Sequence, residues 1–374
     1  MKILHIGNLC NNSYKLAKFQ RRFGLDADLL LAGSQIGTGD DPAWEDPEYK
    51  NRYPTWIKIY GSKSYQNTLS KLSNTMSHIK LGRKIVGQKN YDIIHAQCTE
   101  PIFAQFFGCK ILISHCLGSD LREVATSNSI LGFLLRNAYK KSKIIYFNNI
   151  DHSYYLDQLG LKAQFLPNPL DLDRIYPKKV TNFLGKLRFT ILHPTNLDWT
   201  YIGNERSSTK GNDRLIRAFA RFVKVNPNSL LIMLKSGVDY KATKALVSDL
   251  NISENIKFLD RMEKKDLIEM LNSVNLVADQ FDVGAFGGVA LEAMACGTPV
   301  LTYLKENLAR QCYERLPPIY NCSSEKEIFE ALLRAADDNL SMIGEESREW
   351  IENFHDWRIV VERVVERYNR VLSS

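Results

Sequence analysis

Residues 281–300 read FDVGAFGGVALEAMACGTPV. Gly287 and Gly288 stand where an apolar run gives way to a helical pattern, and without a Cβ they let backbone approach a ligand. The unpaired N–H groups of the first helical turn, with the helix dipole, make an anion site there. Glu292, about one turn further along, can accept hydrogen bonds from hydroxyls beside a bound phosphate. A second stretch, TKGND at 209–213, sets Lys210 and Gly211 before another helical pattern that Asn212 can cap. A compact ammonium beside a helix N-terminus complements a diphosphate as a point charge. Each stretch also has an ordinary reading: a tightly packed strand-to-helix turn, and an exposed loop lysine.

These residues need strands and helices to position them, and the sequence supplies an alternation of both. KILHIG, DADLLLAG, YDIIHA, KILISHC and KIIYFNN read as strands in the first half, with helical patterns between them and a long polar loop over 33–57. FLPNPLDLDRIYP breaks the rhythm with three prolines and reads as a linker. The rhythm then restarts with FTILHPT, SLLIMLKSG, NIKFLD, LVADQF and PVLTYL as strands. This β-α-β order implies parallel sheets covered by helices on both faces. The expected fold is α/β: two Rossmann-like, doubly wound parallel-sheet domains facing a cleft. Ligands in such sheets sit at the carboxyl ends of the strands. The expected division is 1–170, a linker over 171–187, a second domain over 188–350, and a C-terminal helix over 351–374 that crosses back to the first.

Composition narrows the class. The 374 residues contain 44% hydrophobic side chains, a globular value. MKILHIG opens as a strand, too short for a signal peptide, and no apolar run approaches the roughly 20 residues that span a bilayer. Seven scattered cysteines without paired spacing indicate reduced thiols in a cytosolic protein. No His or Cys spacing suits a metal. The net charge of +7 is uneven: residues 1–170 carry 21 Lys and Arg against 13 Asp and Glu. That half invites an anionic partner, such as a membrane surface, a phosphorylated acceptor or nucleic acid. A lysine-rich solvated surface is the plainer reading. Residues 69–86 carry Leu69, Leu72, Met76, Ile79 and Val86 on one stripe beside Lys71, His78, Lys80, Arg83 and Lys84. That helix suits either an anionic membrane or simple packing on a sheet.

Residues 281–300 resemble the nucleotide-binding motif of family-4-type retaining glycosyltransferases with the GT-B fold (glycosyl transferases group 1). The motif usually reads Glu-Pro-Phe-Gly followed by Glu-Ala-Met-Ala-x-Gly-x-Pro-Val. YDIIHAQ at 91–97, HCLGSDLRE at 115–123, LPNPLDLDRIYP at 166–177 and TKGND at 209–213 are similar to further family landmarks in the same order. The resemblance implies a hexosyltransferase that takes a nucleotide diphosphate sugar as co-substrate and no metal or other cofactor. It implies an acceptor that is a glycan, a lipid-linked compound or a small molecule, and no nucleic acid. The setting would be cytoplasmic, with peripheral contact at an anionic inner membrane face.

Carried over residue by residue, Lys210 and Arg206 would meet the pyrophosphate and Glu292 the ribose hydroxyls. The amides of Gly287, Gly288 and Val289 would hold phosphate oxygens, and backbone at Arg261 and Met262 would face the base. Gly7, Asn8, His95, His115 and Asp120 would belong to the acceptor or sugar side. The sequence departs from the family at two points. Leu117 replaces the histidine before Gly-x-Asp. Gly284 stands eight residues before Glu292, where the family has an acid beside the transferred sugar. Asp282, or else Asp279, is the nearest carboxylate able to take over that role. A glycosyltransferase-like binding subunit without activity is the alternative, and an epimerase or hydrolase on the same fold is a third.

Overall fold

A computed structural model describes residues 1–61, 68–108, 110–179, 189–200 and 209–373, with side chains of residues 68–74 excepted. The chain forms two compact units, Met1–Leu170 with His355–Ser374 and Asp171–Phe354.

The first unit runs β1 (Lys2–Ile6), α1 (Asn12–Arg22), β2 (Asp26–Ala32), α2 (Pro42–Glu45), β3 (Ile57–Tyr60), α3 (Thr68–Lys89), β4 (Ile93–Gln97), α4 (Pro101–Ala104), β5 (Ile111–Cys116), α5 (Ile130–Lys141), β6 (Ile144–Phe147), α6 (His152–Gln158) and β7 (Gln164–Phe165). Its seven strands lie in the order β3-β2-β1-β4-β5-β6-β7, each pair parallel. β4 is buried along its whole length, as a central strand covered on both faces must be. The order reverses between β1 and β4, which makes their carboxyl ends the switch point of this sheet.

The second unit runs β8 (Phe189–His193), α7 (Asn212–Val225), β9 (Ser229–Leu234), α8 (Tyr240–Asp249), β10 (Ile256–Leu259), α9 (Lys264–Leu271), β11 (Leu276–Ala278), α10 (Gly288–Ala295), β12 (Val300–Thr302), α11 (Glu306–Cys312), β13 (Tyr320–Asn321), α12 (Glu325–Asp337) and α13 (Leu340–His355). Its six parallel strands lie in the order β10-β9-β8-β11-β12-β13, with the switch between β8 and β11. Phe219 and Phe222 of α7 join Ile328, Ala331 and Leu332 of α12 in its core.

Several elements differ from the sequence expectation. The loop expected over 33–57 contains the short helix α2, and it delivers β3 as a parallel edge strand on β2. The expected linker begins with residues that pack as part of the second unit, and Gln164–Phe165 before it pairs with β6. The helix expected over 351–374 is the end of α13 followed by α14 (Trp357–Leu372). Asp356 separates them because its side chain caps α14 by accepting from Arg358 N–H at 2.8 Å. Val360, Val364 and Tyr368 of α14 pack into the first unit's core with Ile3, Ile93 and Ile113.

Candidate functional site

The carboxyl ends of β8 and β11 are fastened together by one buried histidine. His193 Nδ1 donates to the Ala278 carbonyl at 2.8 Å, and Nε2 accepts from the Asn212 amide at 2.7 Å. Burial lowers its pKa to about 4, so the ring is neutral and can hold both roles at once. Asn212 is thereby committed to the sheet and does not cap α7. Gly211, in the left-handed region at φ 67°, occupies the N-cap instead. Just before it, Lys210 is clamped through its backbone: its N–H donates to Asp198 at 2.7 Å and its carbonyl accepts from Phe281 at 2.9 Å. This leaves the ammonium to reach over the switch point, 3.3 Å from Gln280 Oε1.

The β11–α10 turn supplies the other wall. Asp279 accepts from the Gly287 N–H at 2.7 Å and from the Thr195 hydroxyl at 3.3 Å. Burial raises its pKa, against the opposing pull of that N–H, the Lys210 charge and Thr195. A Cβ on Gly287 would lie 2.6 Å from the Asp279 carboxylate, so only glycine permits this closeness. The Gly287 amide, expected on a phosphate oxygen, is therefore taken by Asp279. The amides of Gly288 and Val289 follow it in the first turn of α10, where no intrahelical acceptor exists. Gly288 faces open space.

Glu292 is buried in α10 and forms an ion pair with Lys264, the first residue of α9. Lys264 was not expected: KKDL reads only as the start of a surface helix, and nothing in it announces a partner 28 residues on. Arg261 is exposed and Met262 half-buried in the turn that leads to it. Among the described residues no group of three or more His, Cys, Asp or Glu could hold a metal. Arg206 lies outside the described residues.

At Asp282, where an acid was expected to have moved, the carboxylate already has partners. Asp282 is paired with Arg214 of α7 and also accepts from the Thr209 hydroxyl at 2.7 Å. Both its oxygens are engaged, so it is not a free carboxylate on a pliable loop. Gly284 has φ 75°, and a Cβ there would lie 2.6 Å from Lys305 Cγ and 2.9 Å from Tyr303 Cε1. The backbone at 284 has no place for any side chain, which explains the glycine locally.

In the first unit the expected acceptor-side residues separate into two groups. Gly7 and Asn8 follow β1 at the switch point, as expected from their position. Asn8 is nonetheless buried and structural: its amide donates to Asp40 O and Asn11 Oδ1, and its Oδ1 accepts from Tyr14 N–H at 2.8 Å. His95 and His115 lie within the sheet's core. Both are buried side by side on β4 and β5, 3.3 Å apart, with His95 Nδ1 2.5 Å from the Tyr368 hydroxyl of α14. Neighbouring strands in register place equivalent side chains in contact, here His95 opposite Ile113 with His115 two residues on. Asp120 is buried too. It accepts from Gly118 N–H at 2.6 Å, Leu117 N–H at 3.1 Å and the Tyr139 hydroxyl at 3.0 Å, and so braces the turn after β5. Glu100, which the sequence did not single out, has its carboxylate 3.4 Å from His78 Nε2. It sits after β4 against Gly7, and burial raises its pKa to about 7, the range in which a carboxyl can exchange protons at neutral pH. His78, expected on a basic helical flank, is buried against Tyr60, Phe103 and Phe107.

Residues 192–354 match the family model described as glycosyl transferases group 1. A GDP-mannose-dependent phosphatidylinositol monomannoside mannosyltransferase of Corynebacterium glutamicum is 25% identical over 66% of this chain. The match spans 63% of that relative, under two thirds of its length. Among solved structures, the Anabaena protein HepE with UDP and glucose superposes with a TM-score of 0.72 at 18% identity over 99% of both chains. A Listeria monocytogenes protein described as a putative UDP-N-acetylglucosamine 2-epimerase reaches a TM-score of 0.62 at 13% identity, over 97% of this chain and 94% of its own. Residues 192–354 are a glycosyl transferases group 1 domain, carried in a chain with the two-unit GT-B fold.

Proposed function

We propose that this protein transfers a hexose, with retention, from a nucleoside diphosphate sugar to an acceptor hydroxyl. The observation that carries the reading is Lys210. Its backbone is fixed on both sides while its ammonium stands at the switch point beside the first turn of α10. A fixed cation and unpaired amides are what a departing diphosphate requires. The C1–oxygen bond to the phosphate breaks, and the acceptor oxygen bonds to C1 on the same face. The departing phosphate oxygen takes the acceptor's proton, so no side-chain base and no metal is needed. Glu292, steadied by Lys264, would hold the ribose. The relative named for GDP-mannose and the structure holding UDP and glucose both favour a nucleoside diphosphate hexose as donor. The acceptor is assigned to the first unit, with the reaction in the cytoplasm.

Gly284 favours a second reading, a binding subunit that holds nucleotide without transfer, because the described loop offers no free acid in its place. An epimerase shares the fold. One experiment separates the three: incubation with UDP- and GDP-hexoses, following free nucleotide and sugar configuration with and without an acceptor extract. Acceptor-dependent nucleotide release supports transfer. Nucleotide binding without release supports the subunit, and an isomerised sugar without acceptor supports the epimerase.

A further inference from the structure

Helix α5 has an unusual distribution of apolar surface. Gly132, Leu135, Ala138 and Tyr139 face inward. Ile130, Leu131, Phe133 and Leu134 are 81%, 46%, 63% and 39% exposed, all within the first turn and a half. The tip is held in this position. Ser129 caps it by accepting from Gly132 N–H at 3.0 Å. A Cβ on Gly132 would lie 2.4 Å from the Val124 carbonyl, so the helix start is pressed against residues 124–127. Arg136 donates to the carbonyls of Ala125 and Ser127 at 2.6 and 2.7 Å. The apolar residues are thus displayed by fixed backbone.

Beside the tip lies a groove of ≈ 580 Å³, floored by Ile94, Ile102 and Leu112 and bordered by Phe106 and Leu134. Phe106 is 55% exposed on its far rim. Lys110, Lys141 and Lys143 stand at its edges, and Lys140 is exposed next to them. Residues 101–150 contain six Lys and Arg but only two acids. Of these, Asp120 is buried and Glu123 exposed.

We propose that this face of the first unit docks on an anionic bilayer. The apolar tip of α5 and Phe106 would enter the hydrocarbon boundary. Lys140 and Lys141, at the opposite end of a 12-residue helix and so roughly 15 Å from Ile130, would lie at the level of the lipid phosphates with Lys110 and Lys143. Apolar residues at one end and cations behind them match the depth profile of a membrane interface. A protein partner would not require that gradient. Of the stripe expected over residues 69–86, Val86 is buried in the unit's own core and Met76 is 54% exposed, while the side chains of Leu69 and Leu72 lie outside the described residues.

The test is sedimentation with vesicles of phosphatidylcholine alone or mixed with phosphatidylglycerol. The full chain should bind the anionic vesicles only, and added salt should weaken binding steeply. Lys140→Glu with Lys141→Glu, and separately Phe133→Asp with Ile130→Asp, should each lower partitioning by at least about tenfold with melting temperature unchanged. Nucleotide binding is read on the same samples, so the result stands apart from the proposed transfer reaction. Equal binding to both vesicle types, binding to neither, or variants that bind like the parent would overturn the proposal. So would a dimer that Phe133→Asp dissociates while the parent ignores vesicles, since a second copy would then cover the face.

Discussion

Lys210 and Asp282 lie on adjoining turns and should respond differently to substitution. On the proposed function, Lys210→Ala would remove a charge-assisted contact of about 1.5–3 kcal/mol with the donor's diphosphate. Donor affinity and turnover should fall at least about tenfold, while the melting temperature stays nearly constant, because the backbone clamp to Asp198 and Phe281 survives. Steady-state kinetics with a thermal melt check this, and unchanged kinetics would remove Lys210 from the donor site. Asp282→Asn keeps an acceptor for Thr209 but loses the charge opposite Arg214. That half-buried pair contributes about 1 kcal/mol, and it steadies the loop that carries Lys210. Donor KM should therefore rise a few-fold with kcat little changed. A collapse of kcat with unaltered donor binding would instead make Asp282 the family's displaced acid.

The β11–α10 turn and α14 show how an element restricts its residues. Gly284→Glu places the family's residue type at its expected position, but at φ 75° and against Lys305 and Tyr303. A left-handed conformation costs a side chain about 1–2 kcal/mol. The variant should melt lower than the parent and gain no activity. A gain would show that the turn can reshape around an acid. Helix α14 completes the first unit from the far end of the chain. Its Tyr368 meets His95, and its Trp357 stacks on Phe19 at 5.2 Å. A chain ending at residue 355 should lose hydrogen-exchange protection across β1, β4 and β5 while β8, β9 and β11 keep theirs. Retained protection in the first unit would contradict the packing.

Across the whole molecule, titration divides the two units. Of seven histidines, six lie in the first unit: His5, His78, His95, His115, His152 and His355. Burial lowers the pKa of each, to about 4 for His5, His78, His152 and His355, to about 3 for His115, and well below the ordinary value for His95. Below pH 6.5 the unfolded chain takes up protons that the native unit refuses, so stability falls as pH drops from 6.5 toward 4 and is level above 6.5. Glu100 opposes this, since its pKa is raised to about 7 and its protonated form favours the fold. Asp120, whose pKa burial also raises, opposes it too, so two groups stand against six. The second unit has His193 alone, with Asp213 and Asp279 raised on the opposing side. Hydrogen exchange at pH 7 and pH 5 should show the first unit losing protection well before the second. Equal loss in both would refute the assignment.

The sequence by itself determined the strand-and-helix alternation, the two sheets and the glycine-led start of a helix within residues 281–300. Those features rest on local periodicity and on glycine positions, which a linear text displays. It also displayed Lys210 before a helix. Short edge strands such as β3 and β7 escaped it, because two to four residues carry too little pattern. The partners were decided only by tertiary structure. Asp282 with Arg214, Glu292 with Lys264, and Asp279 with Gly287 all join residues that folding brings together across strand ends. Whether a side chain meets a ligand or another side chain depends on those distances. His95 and His115 demonstrate it: two histidines on apolar strands admit either a site or a core role in sequence, and parallel pairing of β4 with β5 packs them against each other in the core.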